Sequence, residues 1–300
     1  MSEEQTRAGF AAVIGAPNAG KSTLVNALVG QKVAIVSPKA QTTRARLMGI
    51  AIEGPSQILL VDTPGIFEPR RRLDRAMVAA AWTGAGDADL ILLVIDAADG
   101  LNRPVEAILE GLTQRDRPLW IALNKVDLVR KEKLLGLAVK LTERLNPDHV
   151  FMISAAQGEG VSDIKTELAK TVPEGPWLYP EDEVSDATDR MIAAEMTREQ
   201  IFQQLHQELP YASAVETETW EDQADGSTTI RQQILVERDS QKGIVIGKGG
   251  SRLRTIGERA REQIAEHLGR KVHLYLHVKV NPRWDEDRSL YKDIGLEWAD

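Results

Sequence analysis

One octapeptide restricts the fold of this chain more than any other feature. Gly15-Ala16-Pro17-Asn18-Ala19-Gly20-Lys21-Ser22 fits G-x-x-x-x-G-K-[ST] at every fixed position, with Thr23 directly after it. The apolar run Phe10-Ala11-Ala12-Val13-Ile14 precedes it, and a helix-like stretch over residues 21–29 follows. Glycines let such a loop curl so that successive backbone N–H groups point at one anion. The N-terminus of the following helix adds its dipole to the attraction. In this setting Lys21 would reach the β- and γ-phosphates of a nucleotide. Ser22 would hold Mg²⁺, a hard cation that prefers oxygen ligands.

Further apolar runs repeat the strand pattern. Ile58-Leu59-Leu60-Val61 ends at Asp62, and Leu90-Ile91-Leu92-Leu93-Val94-Ile95 ends at Asp96. Pro118-Leu119-Trp120-Ile121-Ala122-Leu123 ends at Asn124, and His149-Val150-Phe151-Met152-Ile153 ends at Ser154. The runs are unbroken and not alternating, as expected of strands buried on both faces. Helix-length segments such as 105–112 and 131–145 lie between them. The pattern predicts an α/β domain with a mostly parallel sheet and helices on both faces. Ligands of such sheets sit at the carboxyl ends of the strands.

Polar motifs stand at those ends. Asp62-Thr63-Pro64-Gly65 puts a carboxylate where it can meet Mg²⁺ through water and a Gly65 N–H where it can meet a γ-phosphate. Asn124-Lys125-Val126-Asp127 suits guanine. The Asp127 carboxylate can accept from both N1–H and N2–H₂, a donor pair adenine lacks, and Lys125 can cover the base with its stem. At Ser154-Ala155 a backbone N–H could meet the guanine O6. Four motifs in order, each after a strand, carry an argument that none carries alone. They favour GTP over ATP.

The pattern stops near residue 172. Pro173-Glu174-Gly175-Pro176-Trp177-Leu178-Tyr179-Pro180 breaks regular structure. Between positions 174 and 199 stand eight acidic and two basic residues. Residues 173–189 read as a solvated, acidic linker between domains at 8–172 and 190–296, consistent with the roughly two domains that 300 residues predict. The second half gives a helix at 190–208, strands at 212–220 and 229–237 about an Asp225-Gly226 turn, helices at 241–246 and 251–267, and a strand at 272–280.

Charge then separates the halves. The chain carries 37 basic and 45 acidic residues, net −8, which taken whole argues against a nucleic-acid partner. Yet ten basic and only three acidic residues lie between positions 240 and 283. Lys248, Arg252 and Arg254 cluster about Gly247-Lys248-Gly249-Gly250, where a phosphodiester backbone could lie. A basic helix on an α+β domain without RNA is the alternative. There is no cysteine, which excludes a disulfide scaffold, a thiolate zinc site and a cysteine nucleophile, and suits a reducing cytoplasm. The start, Met1-Ser2-Glu3-Glu4-Gln5, is polar and acidic and unlike a signal peptide. No apolar run approaches the roughly 20 residues that cross a bilayer.

These motifs resemble the translation-factor-related class of P-loop GTPases, and Gln41-Thr42-Thr43-Arg44 resembles the switch I motif of its Era family. The order helix, strand, strand, helix, helix, strand is similar to a type II KH domain, whose G-x-x-G loop clamps about four nucleotides of single-stranded RNA. Ile234-Leu235-Val236-Glu237-Arg238 and the stretch 246–250 with Thr255-Ile256-Gly257 resemble Era in particular. The likeness runs from about Ala8 to Leu296.

The resemblance implies a GTPase with GTP or GDP and Mg²⁺ as ligands and a role in assembly of the small ribosomal subunit. It implies single-stranded RNA near the 3′ end of 16S ribosomal RNA as the partner, bound at Gly247, Lys248, Gly249, Gly250, Arg252 and Arg254. It also implies cytoplasmic location with peripheral association at the inner membrane, and action as a monomer. A switch I threonine would complete the Mg²⁺ shell, Thr43 by its place before Arg44, with Thr42 as the alternative. Asn18 either stiffens the loop or holds a potassium ion against the phosphates. Where Ras-like GTPases carry a water-orienting glutamine, this chain has Ile66, with Phe67 next. Hydrolysis is therefore expected to be slow and to rest on positioning and charge stabilisation by Lys21, Thr43 and Gly65. Two rival readings stay open. One is an RNA-binding scaffold whose nucleotide site hardly turns over. The other is a P-loop GTPase acting in transfer RNA modification or on the large subunit.

Overall fold

The computed structural model describes residues 5–39, 41–206 and 208–299, and of Asp293 the backbone alone. The N-terminal residues Met1-Ser2-Glu3-Glu4, read above as unlike a signal peptide, lie outside them. The chain divides into two units, Met1–Asp186 and Ala187–Trp298.

The first unit is built on β1 (Arg7–Gly15), α1 (Lys21–Val29), β2 (Leu47–Glu53), β3 (Ser56–Asp62), α2 (Arg72–Asp87), β4 (Leu90–Asp96), α3 (Arg103–Gly111), β5 (Leu119–Asn124), α4 (Lys131–Leu145), β6 (His149–Met152) and α5 (Val161–Thr171). The sheet order is β2-β3-β1-β4-β5-β6. Every described pairing is parallel except β2 with β3.

Two apolar cores explain the unbroken runs. Ala12, Ile14, Ile91, Leu93, Leu119 and Ile121 enter one core with residues of α2, α3 and α4. Their neighbours Ala11, Val13, Leu90, Leu92, Trp120 and Ala122 enter the other with α1 and α5. Successive side chains of a strand point to opposite faces, so a strand covered on both must be apolar throughout. Each buried Leu or Ile contributes about 1.5–3 kcal/mol. Local signals set the helix ends. Asn102 accepts from the Val105 N–H at 3.1 Å to start α3, and Asn146 in left-handed geometry stops α4.

Strand β2 went unread in the sequence. It is an edge strand in a hairpin with β3, pairing Glu53 with Ser56 and Leu47 with Asp62.

The segment read as a solvated linker is solvated, none of residues 173–189 being buried, but most of it is not a free linker. Up to Asp186 it belongs to the first unit and follows the edge of the sheet. Gln57 Oε1 accepts from the Leu178 and Tyr179 N–H groups at 2.8 and 3.0 Å, while its Nε2 donates to the Tyr179 carbonyl. Trp177 Nε1 donates to the Pro55 carbonyl, and the Ile50 N–H donates to the Val184 carbonyl. Glu174 bridges antiparallel to Arg7 and Ser185 to Gly49, and between them, where prolines remove donors, one buried amide side chain replaces the missing backbone partners.

The second unit contains α6 (Asp189–Gln204), β7 (Ser213–Asp222), β8 (Thr228–Val236), α7 (Asp239–Ile246), α8 (Ser251–Leu268), β9 (Val272–Val280) and α9 (Arg288–Asp293). Strand β8 is central, antiparallel to β7 and parallel to β9. A parallel return needs a crossover, which α7 and α8 supply. Ile201, Ile234, Val245, Ile256 and Val278 form one core cluster; Ile192, Met196, Ile230, Ile264 and Val272 form another. Every element read from the sequence of this half is present. The short helix α9 was not foreseen.

Candidate nucleotide and RNA sites

The octapeptide joins β1 to α1. Gly20 sits at φ 95°, and a Cβ there would stand 2.2 Å from Asn124 Nδ2, so only glycine fits. Lys21 is buried, and its ammonium donates to the Gly15 and Ala16 carbonyls at 3.2 and 3.0 Å. Burial lowers its pKa to about 8, against the pull of Asp62. Around it opens a cleft of about 440 Å³, lined by Pro17, Asn18, Gly20, Ser22, Thr23 and Gly65, by residues 35–38, by Gln41, Thr42 and Thr43, and by Asp96, Asp99 and Lys125. Gly15, Ala16 and Ala19 form the buried wall behind it.

Three oxygens converge beside Lys21. Ser22 Oγ donates to Asp62 Oδ2 at 2.7 Å and lies 2.8 Å from Thr43 Oγ1. Thr43 Oγ1 is 3.5 Å from the same carboxylate oxygen. The other oxygen, Asp62 Oδ1, is buried without a hydrogen-bond partner. Two hydroxyls and a carboxylate with an unsatisfied oxygen fit a hard divalent cation such as Mg²⁺. Burial pushes the Asp62 carboxyl up to about 6, while Ser22, Lys21 and Thr43 pull it back. Of the two switch threonines, Thr43 meets this cluster. The Thr42 hydroxyl donates to the Lys39 carbonyl at 2.7 Å.

Other motif residues hold the frame. Thr63 Oγ1 donates to the Val13 carbonyl at 2.8 Å, tying β3 to β1, so its side chain is turned into the sheet and away from the cleft. Pro64 is buried, and Gly65 packs against Pro17. Asn124 donates to the Ala19 carbonyl at 2.8 Å and accepts from the Ala155 N–H at 2.9 Å, locking three motifs together. The Ser154 N–H donates to the Glu159 carbonyl at 3.1 Å. Both N–H groups of the Ser154-Ala155 pair, one of which was expected to meet guanine O6, therefore have protein partners, which a base would have to share or displace. Asp127 is exposed in a short 3₁₀ turn, and Asp127, Ser154 and Ala155 lie outside the cleft lining. Ile66 is buried in the core with Ala16 and Ala81, so it orients no water. Sequence reading missed the role of Asp96, whose Oδ2 accepts from Lys125 Nζ at 2.5 Å. The only signal was its place at the end of β4.

In the second unit Gly247 (φ 73°, ψ 174°) and Gly249 (φ 60°, ψ 25°) turn the chain from α7 into α8. Lys248, Gly249, Arg252 and Arg254 are exposed. Arg252 Nη1 donates to the Ile244 carbonyl at 2.8 Å, bracing α7 against α8. A Cβ on Gly249 would meet nothing within 4 Å, so this face of the loop is open to an approaching backbone.

A nucleotide-sized cleft with a P-loop and an aspartate–hydroxyl cluster, in a chain that also carries a G-x-x-G loop between two helices, defines a P-loop GTPase joined to a KH domain. Residues 10–125 match the family described as 50S ribosome-binding GTPase, and residues 208–285 match the KH domain. The curated GTPase Era of Afipia carboxidovorans is 56% identical over 301 residues, covering 99% of this chain and 98% of its own. That of Rhizobium meliloti is 57% identical, covering 98% and 94%. The fold is similar, at TM-score 0.91 and 36% identity, to a crystal structure of Era in complex with MgGDPNP and nucleotides 1506–1542 of 16S ribosomal RNA, over 97% of this chain and 99% of that one. The chain belongs to the Era family of GTPases.

Proposed function

We propose that this GTPase is a molecular switch that binds single-stranded RNA near the 3′ end of 16S ribosomal RNA and acts in assembly of the small ribosomal subunit. The observation that carries the reading is the full-length likeness to the Era complex holding both MgGDPNP and that RNA segment. It is supported by the Ser22–Thr43–Asp62 cluster and by the exposed Lys248–Arg254 surface.

In this reading Lys21 leaves the loop carbonyls for the β- and γ-phosphates. Ser22, Thr43 and Asp62 would hold Mg²⁺, which would supply charge neutralisation at the phosphate oxygens. With Ile66 in the core, no side chain at its position aligns the attacking water. Rate enhancement falls to Lys21 and the loop N–H groups, and turnover is slow. Thr43 already stands beside Ser22 and Asp62, and a γ-phosphate would hold it and the rest of switch I there. We read Asn18 as a potassium ligand; its left-handed backbone at φ 63° on the cleft wall supports this, and faster hydrolysis in potassium than in sodium at matched ionic strength tests it. Peripheral membrane association rests on the family resemblance; among the described residues no helix is long and apolar enough to cross a membrane.

The test is affinity for an oligonucleotide of the 16S 3′ end, measured with a non-hydrolysable GTP analogue and with GDP. Tighter binding with the analogue, and weak binding of a scrambled oligonucleotide, is expected. Equal affinity for both oligonucleotides removes the RNA assignment.

A further inference from the structure

Asp96 occupies the end of β4, where the sheet presents its carboxyl ends to the cleft. It belongs to none of the four nucleotide motifs, yet its carboxylate is committed at both oxygens. Oδ1 accepts from the Ala98 N–H at 2.9 Å and the Asp99 N–H at 3.4 Å, closing a turn on its own loop. Oδ2 accepts from Lys125 Nζ at 2.5 Å. From the other side, Lys133 Nζ donates to the Ala98 carbonyl at 2.7 Å, pinning the same turn to α4. The Asp96 side chain is 13% exposed and that of Lys125 33%, so the pair is partly shielded from water.

Lys125 is held at its other end as well. Its backbone is left-handed, at φ 63°, between β5 and the turn that carries Asp127. A lysine side chain free at its ammonium samples many rotamers, and fixing them costs entropy when a ligand needs one. Here the main chain fixes one end of the stem and Asp96 fixes the other. Both residues line the nucleotide cleft. The methylenes are thereby laid out as a wall before any base arrives.

We infer that Asp96 is a positioning residue for guanine binding: it holds the Lys125 stem in place to cover the face of the base, while Asp127 reads its edge. The inference rests on the guanine-nucleotide reading of the cleft and adds a division of labour to it. A residue that acts on the base face affects every purine nucleotide alike. A residue that acts on the edge changes the preference among them. A residue that acts on the loop at Gly15 and Lys21 affects the phosphates.

Three probes separate these roles: GDP, inosine diphosphate, which lacks the N2 amino group, and inorganic tripolyphosphate. Asp96→Asn keeps an Oδ1 acceptor for the turn and removes the charge that holds Lys125. Affinity for GDP and for inosine diphosphate should fall by the same factor, about fivefold for a partly shielded charge-assisted bond. Tripolyphosphate affinity should not change. Lys125→Met removes the ammonium and keeps the stem; in that background Asp96→Asn should add almost nothing, since the two act as a unit. If the parent binds no guanine nucleotide, the reading of the cleft fails first. If the parent binds GDP and Asp96→Asn binds it equally well, the positioning role is wrong. The role is also wrong if the inosine-to-guanosine ratio shifts, if tripolyphosphate binding falls in step, or if the loss is undiminished in the Lys125→Met background.

Discussion

The two phosphate-facing loops of this chain solve one problem in opposite ways. Each uses glycines in left-handed backbone, a helix N-terminus and a lysine. In the first unit the lysine is buried, already hydrogen-bonded to Gly15 and Ala16, and set beside a buried aspartate. In the second unit Lys248 is exposed, and the loop stands open. A small, highly charged ligand that must be cleaved benefits from a dry, preorganised cradle, where each interaction is strong. A polymer read along its length must be able to enter sideways, so its contacts stay in water and act through screened charge. Function in the first loop thus depends on single atoms, and in the second on summed charge.

The most severe way to break the contrast is Lys21→Ala. It removes a charged donor aimed at the reacting phosphates, a loss that typically costs about 10²–10³ in turnover. Nucleotide-free stability should not suffer, because burial already disfavours the charged ammonium and lowers its pKa to about 8. Single-turnover GTP hydrolysis and thermal unfolding measure the two effects. Equal turnover in variant and parent would remove Lys21 from the mechanism.

Next in size comes Lys248→Asp combined with Gly249→Asp. Gly249 has open space around its Cβ direction, and Asp tolerates left-handed backbone better than most residues, so the unit should fold. Two carboxylates facing RNA phosphates should weaken oligonucleotide binding by about tenfold or more, near 1.4 kcal/mol. The salt dependence should become shallower as phosphate contacts are lost. GTP hydrolysis without RNA should match the parent, since the nucleotide motifs lie in the other unit. Unchanged RNA affinity in the folded variant would mean that this loop serves something other than RNA.

The same contrast explains what the sequence made legible. Motifs contiguous in the chain, such as residues 15–22 and 247–250, could be read because local backbone chemistry dictates their residues. So could the strands buried on both faces, which must be apolar throughout. Links between distant residues could not be read. Gln57 holds Leu178 and Tyr179 from more than a hundred positions away, and nothing in Pro173–Pro180 itself announces a partner. The guanine motif does not announce that its Asn124 braces Ala19 and Ala155, nor does the motif at residues 62–65 announce that Thr63 braces Val13. Thr42 and Thr43 are neighbours of one type, and only three-dimensional convergence on Ser22 and Asp62 separates them. Strand β2 was missed because the glycine at position 49 and the short run Leu47-Met48-Gly49-Ile50-Ala51-Ile52 give a weak periodic signal.

The smallest expected effect is one of pH, and it sharpens the contrast between a buried and an open site. Burial raises the Asp62 carboxyl from an ordinary 3.8 to about 6. The folded protein therefore holds this proton more tightly than the unfolded chain. The stability this contributes is complete below about pH 4 and is lost as pH rises through about 6. Mg²⁺ requires the ionised carboxylate, so a metal-bound nucleotide competes with the proton and favours the other direction. Mg²⁺-dependent GDP affinity should accordingly be at least about fourfold weaker at pH 5.5 than at pH 7.5, fourfold being the factor for the Asp62 proton half a unit below its pKa, to which the terminal phosphate of GDP, titrating near the same pH, adds. GDP binding with the metal chelated should lack this component. Residues 247–254 contain no Asp, Glu or His, so RNA affinity at constant salt should change less. Isothermal titration of GDP with and without Mg²⁺ at the two pH values measures the difference. A Mg²⁺-dependent component that is flat across this range would show that Asp62 is already ionised at pH 5.5. The clustered hydroxyls of Ser22 and Thr43, together with Lys21, would then outweigh its burial.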